Sequence, residues 1–265
     1  MPRRLKLTLE YDGTHYVGWQ VQPNGVSIQA RLAQALEQLL GERVSVQAAG
    51  RTDAGVHATG QVVCFDTERA LPLKAYWLGL NRFLPEDIAV VRAEAVPPEF
   101  DPRRWSHGKR YRYRVSNKPS RSPLRRFTHW EVFAPLDVEA LRRGAAHLVG
   151  RHDFSSFRAS DCQAAHAMRE VRRVDVQGTS GDELSFTVEG TAFLKHMVRN
   201  LVGTLVEVGK GRRPEAWVAE VLASRDRKRA GPTAPAHGLV LEEVFYGDGP
   251  PLRTPGGMAD GDDEE

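Results

Sequence analysis

Apolar and polar residues alternate from Leu5 to Tyr11, the period-two pattern of a half-buried strand. Over Ile28–Leu40 the period lengthens, and Ile28, Leu32, Ala35, Leu36 and Leu39 share one face of a helix that Gly41 stops. Short apolar runs at Val44–Ala48 and Gln61–Asp66 predict two further strands, Pro72–Phe83 a second helix, and Ile88–Val96 a strand that closes the set.

The second half repeats this order with additions. Strands are expected at Lys109–Ser116 and near His129–Phe133, and a helix at Val138–Val149. A hairpin follows, Val171–Gln177 with Leu184–Glu189, turned by Gly178–Gly181. Helices over Leu194–Val208 and Pro214–Ala223 and a strand over Leu239–Tyr246 complete it. Each half reads as β-α-β-β-α-β, the ferredoxin-like order, and the repeat is of architecture rather than of residues. The expected fold class is α+β, with an N-terminal half over residues 1–103 and a C-terminal half over 104–247, joined near Pro97–Pro102. Two sheets covered by helices leave a central cleft, a common place for a ligand. The tail over 248–265 is rich in Gly, Pro, Asp and Glu and reads as disordered.

Composition changes this picture in one respect. At 265 residues, 41% hydrophobic and 27% charged, the chain has the make-up of a soluble globular protein, and its apolar runs fall far short of a bilayer span. The start lacks the apolar stretch of a secretory signal, and Cys64 and Cys162 stand far apart in no CxxC spacing, so a reducing cytoplasm is expected and a zinc site is not. The formal charge of +3 hides a basic body. The tail holds six acids and one base, which leaves about +8 on the rest, and arginines outnumber lysines thirty to seven. Arginine's fork suits phosphate oxygens, although a GC-rich genome or heat adaptation gives the same bias.

The charge concentrates between Arg103 and Arg126, where ten basic residues stand without an acid. Within it KRYRYRV alternates, putting Tyr111, Tyr113 and Val115 on one face of a strand and Arg110, Arg112 and Arg114 on the other. Aromatic rings stack on extruded bases while arginines hold the backbone, so the run favours RNA. A solvated edge strand with core tyrosines is the plainer alternative.

Chemistry enters with AAGRTDAGVHATGQVVCF. A loop between strands presents Arg51, Thr52, Asp53 and His57, and a carboxylate beside an arginine stays ionised although partly desolvated, as a nucleophile must. Asp-Ala-Gly is equally ordinary turn chemistry. The block GRTDAGVHATGQVVCF resembles the signature of the TruA family of tRNA pseudouridine synthases. So do, in order, YDGTHYVGWQ with SIQARLAQAL, the strand KRYRYRV, DFSSFRASDCQ and FLKHMVRNLVGTLVEVG. The resemblance runs from Leu5 to Tyr246 and leaves out only the acidic tail.

The resemblance implies the pseudouridine synthase fold and isomerisation of uridine at positions 38, 39 and 40 in the anticodon stem-loop of tRNA. It makes Asp53 the nucleophile, Arg51 the residue that helps draw the base from its stack, Tyr111 the ring against the target uracil, and Arg199 the partner of the catalytic carboxylate. His57 is expected to support the loop. Arg110, Arg112 and Arg114 are the expected phosphate contacts. The reaction changes no redox state and moves no phosphate, so no cofactor and no metal are called for. Family members act as homodimers with one tRNA across both subunits. Rival readings are weaker: GTLVEVGKGRR has one residue too many for a P-loop and Gly211 where Ser or Thr is needed, there is no G-x-S-x-G elbow, and no H-x-x-x-H pair. A non-catalytic RNA-binding protein of the same fold is the serious alternative.

Overall fold

The computed structural model describes residues 2–250, so that most of the acidic tail lies outside the described residues. Its contacts divide the chain into two compact units. The first runs to His107 and resumes at Val240; the second is Gly108–Leu239. Both are mixed α+β with mostly antiparallel pairing.

In the first unit β1 (Arg3–Tyr11) pairs antiparallel with β3 (His57–Thr67) on one side and β4 (Ile88–Ala95) on the other. The outer edge of β3 is shared between two partners. Val63 and Cys64 take the short β2 (Gln47–Ala48) antiparallel, and His57 and Ala58 take β10 (Leu239–Tyr246) in parallel. Helix α1 (Ile28–Leu40) starts where the Ser27 side chain accepts Ala30 N–H and ends where Gly41 N–H returns to the Glu37 carbonyl. Its buried residues Ile28, Leu32, Ala35, Leu36 and Leu40 join Leu5, Leu7, Leu9 and Tyr11 of β1 in the core of this unit. The helix expected over Pro72–Phe83 is instead one wide turn, Ala75–Gly79, running into a tight one, Leu80–Arg82. Tyr76 is drawn fully into the core and its hydroxyl is bonded to the Arg69 carbonyl, while Trp77 and Leu78 stay outside.

In the second unit β5 (Ser106–Ser116) pairs with β9 (Glu183–Gly190), β9 with β8 (Met168–Gly178), and β8 with β7 (Gly150–Asp153), all antiparallel. The expected strand at His129–Phe133 shrinks to β6 (Trp130–Glu131), parallel to the end of β5. β7 was not foreseen, because Gly-Arg-His-Asp has no apolar alternation to announce it. Helix α2 (Val138–Ala146) packs on β8 and on α3 (Met197–Gly209), with α4 (Trp217–Ser224) beside it. α3 departs from the amphipathic surface helix that its apolar spacing suggests. Eleven of its residues are buried, Asn200 and Thr204 among them, so it is a central element enclosed on nearly every side.

Candidate active site

Residues 50–56 form the loop that enters β3, and its conformation is imposed by the segment that follows β1. Thr52, buried, shares a 2.8 Å hydrogen bond with the Tyr11 hydroxyl, and its carbonyl accepts Trp19 N–H at 3.0 Å. Gly50 carbonyl takes the Gln61 amide at 2.9 Å, and Gly55 N–H donates to the Tyr16 carbonyl. The close approach requires glycine at Gly18. Its φ is +106°, and a Cβ there would stand 2.6 Å from the Thr52 carbonyl oxygen. Thus YDGTHYVGW and GRTDAGVH are two halves of one structure: the first grips the second. Thr52 turns inward, while its neighbours remain outside, Arg51 exposed and Asp53 half-buried.

His57 stands at the foot of this loop, buried, with Nδ1 accepting Gly13 N–H at 3.1 Å. That nitrogen is therefore the lone-pair side of the ring. Asp12 Oδ1, 3.0 Å away, is held instead by the Thr14 N–H and hydroxyl. Burial works to raise the Asp12 pKa, but the bonds from the Thr14 hydroxyl and N–H outweigh it and the carboxyl is held below its ordinary range. His57 ties the loop to β1's exit.

Tyr111 and Arg199 belong to the second unit. β5 keeps the expected alternation: Tyr111, Tyr113 and Val115 are buried, and Arg110, Arg112 and Arg114 are half-buried on the opposite face. The Tyr111 ring meets Phe193 edge-on at 5.2 Å. Tyr113 donates its hydroxyl to the Pro235 carbonyl at 2.7 Å. Burial pushes that phenol far above its ordinary pKa, with the Arg199 charge pulling the other way. Arg199 Nε donates to the Ala234 carbonyl at 2.8 Å, so Arg199 and Tyr113 converge on residues 234 and 235. The three arginines of β5 are not equivalent. Arg110 lies opposite Glu189 and pairs with it at 2.7 Å, and Glu189 also meets Arg173 at 3.5 Å.

Sequence reasoning missed Tyr11, Trp19, Thr52 and Gln61 as supports of the loop. Gln61 had a signal: it is the one amide inside the apolar run of β3, and it is fully buried. Phe193 had none beyond its place in FLKHMVRN. Among the described residues no group of three His, Cys, Asp or Glu side chains could hold a metal ion, and no helix is long and apolar enough to cross a membrane.

A family model described as tRNA pseudouridine synthase matches residues 8–103 and 145–247. Arg51, Asp53 and Arg199 fall inside those ranges, and the β5 residues fall between them. The chain is 75% identical over 265 residues to tRNA pseudouridine synthase A of Myxococcus xanthus, covering all of both. It is 52% identical over 244 residues to tRNA pseudouridine synthase A of Pelobacter propionicus, covering 92% of this chain and 100% of that one. A solved H/ACA ribonucleoprotein bound to a substrate RNA containing 2'-deoxyuridine overlaps with a TM-score of 0.34 at 9% identity, covering 77% of this chain and 53% of its own, a likeness too slight to carry an argument.

Proposed function

The chain belongs to the tRNA pseudouridine synthase family, and on that premise we propose that it isomerises uridine to pseudouridine at positions 38, 39 and 40 of the tRNA anticodon stem-loop, with Asp53 as nucleophile. The observation that carries this reading is the grip on the 50–56 loop. Tyr11, Trp19 and Gln61 fix Thr52 and Gly50 and leave Asp53 half-buried on the same loop as the exposed Arg51. A carboxylate on a rigid loop, partly out of water, is poised to attack carbon.

The target uridine leaves its stack first, at a cost of a few kcal/mol that stacking and phosphate contacts offset. Asp53 forms the covalent adduct, the N1–C1′ bond breaks, the base turns, and C1′ rejoins it through C5. The C5 hydrogen leaves as a proton, N1 gains one, and Asp53 is released unchanged, so atoms and electrons balance without an oxidant or phosphoryl donor. Arg51 helps hold the base out, Tyr111 lies against the uracil, and Arg199 serves as the carboxylate's partner. Arg112 and Arg114 hold phosphates. The working form is a homodimer, with one tRNA spanning two copies.

Loss of the C5 hydrogen makes the test direct. Wild type releases tritium from tRNA carrying 5-tritiated uridine in the anticodon stem-loop; Asp53→Asn releases none yet still binds tRNA. Equal release by the variant removes the nucleophile assignment. No release by the wild type favours an RNA-binding protein without the reaction. Cytidine at positions 38, 39 and 40 is expected to abolish release, and persistent release would move the target elsewhere.

A further inference from the structure

Arg227 has no part in the reaction described above, yet it is a guanidinium half-buried in the tight turn Arg227–Arg229 with no carboxylate paired to it among the described residues. Burial draws its pKa down. Every acceptor around it is neutral. Nη1 donates to the Gly231 carbonyl at 2.9 Å, and Nη2 donates to Asn200 Oδ1 at 3.0 Å and to the Thr233 hydroxyl at 2.9 Å. The Thr233 hydroxyl donates in turn to Asn200 Oδ1 at 2.7 Å. Taking a charge out of water for neutral partners is costly, and such a network makes sense where it fixes something.

What it fixes is the segment 231–234, laid along α3. Gly231 N–H donates to the Thr204 hydroxyl at 2.9 Å, and the Thr204 hydroxyl donates to the Asn200 carbonyl at 2.8 Å. A Cβ at Gly203 would collide with the Pro232 carbonyl, so the backbones meet directly. The segment ends at Ala234, fully buried, which is bonded twice to one residue. Ala234 N–H donates to the Arg199 carbonyl at 3.1 Å, and Arg199 Nε donates to the Ala234 carbonyl at 2.8 Å. With Nε so occupied, the plane of the Arg199 fork is set. The first turn of α3 is itself aimed by a strained residue, His196, whose φ is +62°.

We propose that Arg227, acting through Asn200 and Thr233, is a positioning residue for the pseudouridine synthase reaction: it locks the 231–234 segment on α3 so that Ala234 orients the Arg199 guanidinium. The proposal rests on the reading that Arg199 serves the reaction. Misplacement of a catalytic group by about 1 Å costs roughly 100-fold in rate, which sets the scale of the effect.

The test compares Arg227→Ala, Thr233→Val, Arg199→Lys, Arg199→Ala and the Thr233→Val/Arg199→Lys pair, using tritium release from the full tRNA, tRNA affinity and thermal melting. Thr233→Val keeps the shape and removes the hydroxyl, so it carries the test alone should Arg227→Ala fail to fold. Expected are kcat values lowered about 10- to 100-fold in Thr233→Val and Arg227→Ala, with KM for tRNA unchanged. Arg199→Lys lacks the Nε donor, so adding Thr233→Val to it is expected to change kcat by no more than about twofold, the non-additivity of coupled groups. Impaired Arg199→Ala beside unimpaired Thr233→Val overturns the clamp, as do losses that multiply in the pair. Full turnover by Arg199→Ala instead removes the reading of Arg199 itself.

Discussion

Asp53 owes its setting to the groups that fix its neighbour Thr52. The Tyr11 hydroxyl is buried against Thr52 at 2.8 Å, and burial pushes its pKa up, so it stays a neutral donor. Tyr11→Phe removes that bond and leaves the Thr52 hydroxyl in a dry place, a loss of about 1 kcal/mol. The expected result is a melting temperature lower by about 3 °C and slower tritium release with tRNA affinity kept; unchanged release would show that the grip on Thr52 does not serve the nucleophile. A second residue-scale effect lies in His129. Burial lowers its pKa, against the pull of Glu183 Oε1 at 3.3 Å. An unfolded histidine takes its proton near pH 6.5, before the native one does, so protons favour unfolding as pH falls from about 7 to about 5. Melting followed across that window is expected to drop less in His129→Asn than in wild type, and equal drops would assign the effect elsewhere. The loop and its glycines were legible because turn residues carry their chemistry in their names. Thr52 and Gln61 were not, because their value lies in which carbonyl or hydroxyl they reach.

At the scale of elements, β5 was read correctly from alternation, since a pleated strand must put Tyr111, Tyr113 and Val115 on one side. What alternation does not reveal is the partner across the ladder. Arg110 faces Glu189, so much of its charge is already met. Replacing Arg112 and Arg114 with Ala is expected to weaken tRNA binding and to lower the slope of log affinity against log salt by about two contacts, near 0.7 to 0.9 each. Arg110→Ala alone is expected to change that slope by less than one contact. Filter binding between 50 and 200 mM salt decides this, and equal effects from all three arginines would dismiss the role of Glu189. α3 misled for a related reason. Its spacing of Met197, Val198, Leu201 and Leu205 suits an amphipathic helix, but Asn200, Thr204 and Gly203 are buried too, because the 231–234 segment supplies hydrogen-bond partners and close backbone contact on that side. A polar residue is buried where its partners are, and the partners of Asn200 come from 27 and 33 residues further along the chain.

At the scale of the molecule, the chain crosses from one unit to the other twice within the described residues, near 107 and near 239. Of the residues proposed for the reaction, Asp53 and Arg51 belong to the first unit and Tyr111 and Arg199 to the second. A homodimer binding one tRNA is expected to sediment at twice the mass of a single chain and to take up one tRNA for two chains; a single-chain mass at working concentration would dismiss it. The α+β class and most of the strands were legible because strand and helix periods differ. The return of the last strand to the first unit was not, because Leu239–Tyr246 reads as a strand whichever neighbour it joins.

That return has a consequence for how the enzyme is made. β10 lies beside His57 and Ala58, where the 50–56 loop enters its strand, and it is made after the whole of Gly108–Leu239. Domains generally fold as they emerge, N-terminal parts first, but here the first unit waits with part of the edge of β3 open until Gly108–Leu239 has been made. A polypeptide cut short before residue 239 therefore lacks the strand that flanks β3 where the 50–56 loop enters it.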